Sequence, residues 1–228
     1  MTLDIAWVRE SLAQLAARET GQSLAQRAHG FRLRPPVDPA TLKRAEQAIG
    51  APLPEGYRHF LTAVGDGGAG PYWGVVPLGE ALERWTGALG DLTALGRDCP
   101  LTSDVDFGEL IGQPDDWDEH LARLESDPEY EAEYDRLAVT YAEPPWIDGR
   151  VPLVDYGCGD WFFLVVRGPR RGTVWVDSVD GSTGLYCLEV DFETFYARWL
   201  RRALAGEELP NAYYSYLEYG DNPRYRPV

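Results

Sequence analysis

The sequence has few basic residues and no long apolar run, and each shortage excludes a class of function. Only 21 lysines and arginines stand against 37 aspartates and glutamates, which gives the 228-residue chain a formal net charge of −16. Nucleic acids and anionic membranes repel such a surface, so we expect neither as a partner. No apolar stretch is long enough to cross a bilayer, and the N-terminus lacks the basic and apolar regions of a secretion signal. We therefore expect a cytoplasmic protein.

Recognisable sites of chemistry are also missing. The three cysteines, Cys99, Cys158 and Cys187, are widely spaced without a Cys-x-x-Cys pair, which argues against a zinc site and a disulfide framework. The signature motifs of phosphate-binding loops, serine hydrolases, zinc peptidases and dinucleotide-binding folds do not occur. The sequence therefore predicts no cofactor, no metal and no catalytic residue.

The region that organises the chain is the stretch 151–181, which contains the longest apolar run, residues 161–166. Aromatic and β-branched residues punctuated by glycines predict three consecutive antiparallel strands, at about 151–156, 160–167 and 172–179. The middle strand is apolar at nearly every position, so both of its faces are expected to be covered. Further strands are predicted at 72–78 and 184–190.

Helical periodicity and capping residues predict helices around this sheet. They are expected at about 4–18, 39–49, 54–64, 80–89, 114–124, from 128 onward, and 191–205. The predicted fold class is α+β: an antiparallel sheet of about five or six strands with packed helices and an acidic helical insertion.

The acidic insertion, about 98–138, carries most of the net charge. Between Asp98 and Asp135 there are fourteen carboxylates and one base, Arg123, a net −13 of the total −16. Its helix beginning near 114 is predicted to bury a stripe of Trp117, Leu121 and Leu124. The first turn of that helix carries the candidate partner-binding carboxylates Asp115, Asp116, Asp118 and Glu119. An alternative interpretation is that this charge only solubilises the protein.

A glycine-rich turn follows the helix predicted at 54–64. Gly67, Gly68, Gly70 and Pro71 are expected to form a structural chain reversal, and Tyr72 and Trp73 beside it are candidate partner-binding aromatics. The segment from Leu53-Pro54 through Val64-Gly65-Asp66-Gly67-Gly68-Ala69-Gly70-Pro71 to Pro77-Leu78 resembles the signature of the SUKH superfamily. The later segment with Gly157-Cys158-Gly159, Leu164-Val165-Val166 and Val174-Trp175 is similar to the second half of that signature. Asp66 departs from the asparagine that is more frequent in the family.

The resemblance implies one SUKH-like domain over 1–228, with a core of about 38–89 and 147–205 and a tyrosine-rich extension at 207–228. It also implies a non-enzymatic, protein-binding role, because bacterial members are similar to immunity proteins that neutralise toxin domains, frequently nucleases. The expected partner is therefore a protein, namely a basic toxin domain. The acidic face is expected to cover the substrate site of that toxin. Two alternatives stay open: an intracellular adaptor or regulatory scaffold, and a hydrolase using the strand-end carboxylates Asp155, Asp160, Asp177 and Asp180.

Overall fold

The computed structural model describes residues 2–18, 24–114, 116–179, 183–206 and 220–221. Its helices are α1 (Ile5–Arg18), α2 (Leu24–Ala28), α3 (Pro39–Ile49), α4 (Glu55–His59), which continues as a π-helical turn (Phe60–Val64), α5 (Leu78–Leu89), a 3-10 turn (Thr93–Gly96), α6 (Phe107–Ile111), α7 (Trp117–Ser126), α8 (Pro128–Tyr141) and α9 (Phe192–Ala205). Its strands are β1 (Val105–Asp106), β2 (Arg150–Gly157), β3 (Asp160–Val165), β4 (Thr173–Ser178) and β5 (Gly184–Asp191). The predicted α+β class is confirmed.

The five strands form one antiparallel sheet in the order β1-β5-β4-β3-β2. Strand β3 has a hydrogen-bonded neighbour on each side and sends alternate side chains into two different cores. Phe162 and Leu164 face the first core, whereas Phe163 and Val165 face the second. The expectation that this apolar strand is covered on both faces is therefore confirmed, because each face has its own apolar layer.

Helix α9 covers the first face of the sheet. Asp191 caps its start by accepting a hydrogen bond from the backbone N–H of Thr194, and Gly206 ends it in the left-handed conformation that suits glycine. Its buried side chains include Phe195, whose ring lies 5.0 Å from that of Phe162, and Tyr196. The Tyr196 hydroxyl donates to the carbonyl of Ala69 over 3.0 Å, which ties α9 to the glycine-rich turn.

The acidic insertion supplies the second core. Phe107 of α6 and Leu137 of α8 are buried with Trp175 and Cys187, which project from the opposite face of β4 and β5. These contacts bury Phe107 and Leu137 of the insertion against the sheet. Most of the free energy that holds the insertion in place therefore comes from apolar burial against the sheet.

The strand predicted at 72–78 is wrong. Tyr72 (φ 49°) and Gly74 (φ 93°) adopt left-handed backbone conformations that interrupt an extended strand, and within 72–78 only Val75 forms bridges, to Gly68 and Val154. Helix α5 then begins at Leu78, two residues before its predicted start. The fifth strand is instead β1, a two-residue strand that pairs with the start of β5.

Candidate partner-binding site

Helices α7 and α8 form a hairpin that stands on the second face of the sheet; we call residues 116–141 the acidic hairpin. Asp116 caps α7 by accepting from the N–H of Glu119 over 2.9 Å. Asp127 caps α8 by accepting from the N–H groups of Glu129 and Tyr130, and Pro128 occupies the first helical position, where a missing N–H costs nothing. Two local signals in the sequence therefore fix the break between the helices.

The contact between α7 and α8 is polar at its centre. His120 is fully buried, and its Nδ1 lies 2.8 Å from the hydroxyl of Tyr130. Burial lowers the pKa of His120, which favours the neutral ring. The guanidinium of Arg123 lies 4.1 Å from the centre of the Tyr130 ring and donates to the carbonyl of Gly112. These contacts hold α7 against α8.

The predicted stripe of Trp117, Leu121 and Leu124 is wrong at its centre. Leu121 is 42% exposed, and His120, one position earlier, is the residue that faces α8. The Trp117 side chain lies outside the part of the chain whose side chains are described. The helix is consequently rotated from the predicted orientation, because Tyr130 offers His120 a hydrogen bond that periodicity alone does not reveal.

The surface of the acidic hairpin is dominated by carboxylates. Of the four predicted binding carboxylates, Asp116, Asp118 and Glu119 are exposed at the start of α7, and Asp115 lies outside the described residues. Residues 116–141 hold nine carboxylates and two arginines. Hydrogen bonds from Arg136 lower the pKa of Glu133, and backbone hydrogen bonds lower that of Asp127. Both carboxyl groups are therefore ionised at neutral pH.

An apolar side chain interrupts this charge. Leu121 lies three residues after Asp118 and four before Glu125, so the three side chains share one face of α7. Leu110 of α6 and Val139 of α8 are exposed as well. Sequence reasoning missed these apolar positions, and periodicity gave no signal for the exposure of Leu121, because that exposure depends on the contact of His120 with Tyr130. The arrangement combines long-range attraction for a basic surface with apolar contact area.

The two aromatic candidates have different environments. Tyr72 is buried, and its ring packs 4.2 Å from that of Tyr156. Trp73 is 54% exposed, and its indole lies over Gly157 at the β2–β3 turn. Tyr72 belongs to the first core, whereas the acidic hairpin packs on the second, so the structure places the two predicted sets on opposite faces of the sheet. Only Trp73 offers an aromatic surface to a partner.

The glycine-rich turn is held by backbone contacts. Gly67 and Gly68 have φ values of 77° and 93°, and Gly68 exchanges two hydrogen bonds of 2.9 Å with Val75. A Cβ atom on Gly70 would lie 2.8 Å from the backbone nitrogen of Val75. Buried Pro71 accepts the N–H of Gly74 over 2.7 Å. This geometry supports a structural role for the turn, which sets the position of Trp73.

Asp66 connects this turn to α5. Its carboxylate accepts the backbone N–H of Leu78 over 2.8 Å, at the start of the helix. The group is half-buried, and this burial raises its pKa above the ordinary value of an aspartate. The hydroxyl of Tyr57 is buried without a hydrogen-bond partner among the described residues. Burial raises the pKa of Tyr57, and the negative charge of Asp66 raises it further. The charge on Asp66 is therefore costly to the folded state.

We expect Asp66→Asn to stabilise the protein at neutral pH. An amide oxygen still accepts the Leu78 N–H, but no charge has to be buried. A carboxyl group whose pKa is raised by folding favours the folded state most when it is protonated, so the wild type loses stability as pH rises through that raised pKa. The melting temperature of the variant should exceed that of the wild type at pH 7, and the difference should shrink as the pH falls below 4. Equal melting temperatures at pH 7 would contradict this account.

The strand-end aspartates are engaged in structural contacts. Asp155 accepts the N–H of Gly157, Asp160 accepts the Ser178 hydroxyl over 2.8 Å, and Asp177 forms a 3.0 Å ion pair with buried Arg150. Asp180 lies outside the described residues. Across the described ranges, no group of three or more His, Cys, Asp or Glu side chains is arranged to hold a metal ion. These contacts account for the three aspartates as turn and sheet residues.

The fold and the exposed surface define a sheet-based α+β protein with an acidic helical elaboration. The family described as SMI1 / KNR4 family (SUKH-1) matches residues 36–198, which include the acidic hairpin, and the chain belongs to that family. No curated protein and no solved structure gives a significant match. None of the described helices has the length and apolar character needed to cross a membrane.

Proposed function

We propose that this chain is an immunity protein that binds a basic toxin domain through the acidic hairpin and occludes the toxin's substrate site. The observation that carries the proposal is the hairpin itself: nine carboxylates against two arginines on two capped helices fixed to the sheet. Membership of the SUKH-1 family supports a protein-binding role, because the family includes toxin-immunity and regulatory proteins.

The packing of the hairpin against the sheet supports a binding role over mere solubilisation. Like charges on one element repel each other, so a chain that needs only solubility gains nothing by ordering them. Here buried Leu137 packs the hairpin against the sheet and against Phe107 of α6, and the contact of His120 with Tyr130 fixes the two helices against each other. A binding surface ordered before the encounter avoids the entropy cost of ordering during it.

The proposed mechanism divides the work between charge and apolar contact. A nuclease-type toxin must attract a polyanion, so its substrate site is basic, and the carboxylates of the hairpin present the same sign of charge as that substrate. Exposed Leu121, flanked by Asp118 and Glu125, would supply apolar contact once the surfaces meet. A hairpin seated over the basic site would exclude the substrate.

A photo-crosslinking experiment tests this proposal. A photoreactive amino acid is placed at position 118 or 125 on the hairpin and, as matched controls, at exposed positions 55 or 83 elsewhere. We expect a basic protein to be captured from the two hairpin positions and not from the controls. That protein is then expressed alone and together with the chain, and growth is measured.

Growth arrest by the captured protein, and its rescue by the chain, would support immunity. Capture of a harmless basic protein would instead favour the adaptor alternative with the same surface. Capture from the control positions alone would reject the hairpin as the binding surface.

A further inference from the structure

A second surface of interest lies at the edge of the sheet beside α9 and does not involve the acidic hairpin. Strand β1 pairs only with Gly184 and Leu185, the first two residues of β5. Strand β5 continues to Asp191, so its outer edge extends beyond β1, and on that stretch the N–H of Cys187 donates to the Asp104 carboxylate over 2.8 Å. An edge of this kind presents backbone groups that can bind another extended segment.

A bulge shapes this part of β5. Trp175 pairs with Cys187 and Thr173 pairs with Asp191, so β5 uses four residue steps where β4 uses two. Within the bulge Glu189 has a φ of 57°, and its carboxylate forms an ion pair with Arg170. Bulges change the direction of backbone groups, and this one lies at the Leu188 carbonyl.

The described residues near the C-terminus occupy this position. The N–H of Asp221 donates to the Leu188 carbonyl over 2.7 Å, and the Asp221 carboxylate lies 2.7 Å from the guanidinium of Arg198 on α9. Gly220 lies so close to β5 that an added Cβ would be 2.8 Å from the Cα of Leu188 and would overlap the Leu188 carbonyl oxygen. Close approach to Leu188 therefore requires glycine at position 220, and Arg198 favours a carboxylate at position 221.

We propose that the Leu188 carbonyl and the Arg198 guanidinium form a docking site for an extended acidic segment, and that the C-terminal extension, 207–228, is its occupant. Charge complementarity supports this assignment: residues 207–221, the part of the extension that ends at Asp221, contain four carboxylates and no lysine or arginine, and the two arginines of the extension, Arg224 and Arg226, follow Asp221. The second half of α9 carries Arg198, Arg201 and Arg202. This basic strip stands out in a chain of net charge −16.

The chain length also fits this occupant. Helix α9 ends at Ala205, and Asp221 is bound to Arg198, seven residues before that end. To bring Asp221 to Arg198, the chain has to run back about 10 Å along the helix. Only a few of the residues between 206 and 220 are needed to span that distance. Attachment through a short segment gives a high effective concentration, so two polar contacts suffice to keep the extension docked. A docked extension covers the Leu188 carbonyl at the sheet edge, which would otherwise be open to another strand.

Limited digestion of the full-length chain by chymotrypsin tests the proposal, because the extension contains five tyrosines. The single variants are Gly220→Ala, Asp221→Arg and Arg198→Asp, and the charge-swap variant combines the last two substitutions. We expect cleavage within 207–228 to be at least about tenfold faster in each single variant, since proteolysis follows the population of the undocked state. The charge-swap variant should return towards the wild-type rate.

Thermal unfolding, followed in parallel, shows whether the core is intact. Gly220→Ala and Asp221→Arg change residues outside the core, so their digestion rates decide the outcome even if Arg198→Asp weakens α9. Wild-type cleavage rates in these two variants would overturn the proposal. A charge-swap variant cleaved as fast as Asp221→Arg would also overturn it, because Arg198 would then not be the partner of the carboxylate.

Discussion

Gly68→Ala should destabilise the protein by about 3 kcal/mol, which for a chain of this length lowers the melting temperature by roughly 10 °C. Two costs add at this position. A φ of 93° is strained for any residue with a Cβ, and the new Cβ would overlap the carbonyl oxygen of Arg32 and lie 3.1 Å from the nitrogen of Arg34. The turn cannot relax easily, because Gly68 is hydrogen-bonded to Val75 on its other side.

Gly172→Ala is the matched control for this prediction. Gly172 also has a φ of 93°, but nothing lies within 4 Å of the position of an added Cβ. The Gly172→Ala variant should therefore lose only about 1 kcal/mol of stability, which is the cost of holding a residue with a Cβ in this backbone conformation. Thermal or denaturant unfolding of both variants separates crowding from backbone strain. An equal loss in the two variants would show that close approach of the 32–34 segment is not what requires glycine at position 68.

Local signals in the sequence predicted the elements whose ends are set by their own residues. Asp38 and Gly50 flank the helix predicted at 39–49, and in the structure Asp38 accepts two backbone N–H groups at its start and Gly50 ends it with a φ of 74°. The same reasoning correctly predicted α9 between Asp191 and Gly206. Capping depends on neighbours within a few residues, so it can be read from one sequence.

Elements that depend on distant partners were not predictable in this way. Strand β1 has two residues and exists because it pairs with Gly184 and Leu185, about 80 positions later. The apolar residues near 72–78 look like a strand, but the left-handed backbone at Tyr72 and Gly74 turns the chain towards Tyr156 and Phe162. Long-range packing overrides local β propensity in both cases.

The candidate site was predictable in charge but not in shape. A run of carboxylates is visible in any sequence, and Asp116, Asp118 and Glu119 are exposed in the structure. The orientation of α7 depends instead on the contact of His120 with Tyr130, ten residues away on the next helix. Exposure of Leu121 follows from that contact, so the apolar part of the surface could not be inferred from periodicity, which assigned Leu121 to the interior.

The same reasoning decides which carboxylates provide the sharpest test of the proposed binding surface. Asp116 should be kept, because its carboxylate caps α7 and its loss would cost about 1 kcal/mol of helix stability. Asp118, Glu119 and Glu125 are exposed on α7 and serve no capping role in the structure. Exposed Glu10, Glu55 and Glu83 lie on α1, α4 and α5, away from the hairpin, and provide a control with the same change in net charge.

Reversal of the three hairpin carboxylates to lysine should lower the rate of association with the basic partner at least about tenfold. The attraction acts before contact and is screened over about 8 Å at physiological ionic strength, so the wild-type rate should fall as salt is raised. The salt dependence of the hairpin variant should be much weaker. Stopped-flow or surface-binding kinetics between 50 mM and 500 mM salt measure both effects, and circular dichroism checks that α7 remains helical.

The control variant with lysine at positions 10, 55 and 83 separates local from global charge. If the hairpin steers the encounter, this variant should keep an association rate within a few-fold of the wild type, because its changes lie on helices that pack in the first core, whereas the hairpin packs in the second. An equal loss in both triple variants would mean that total charge alone sets the rate. The hairpin variant could instead keep the wild-type association rate and salt dependence. The carboxylates of the hairpin would then be only a solvated surface, and steering by the hairpin would be rejected.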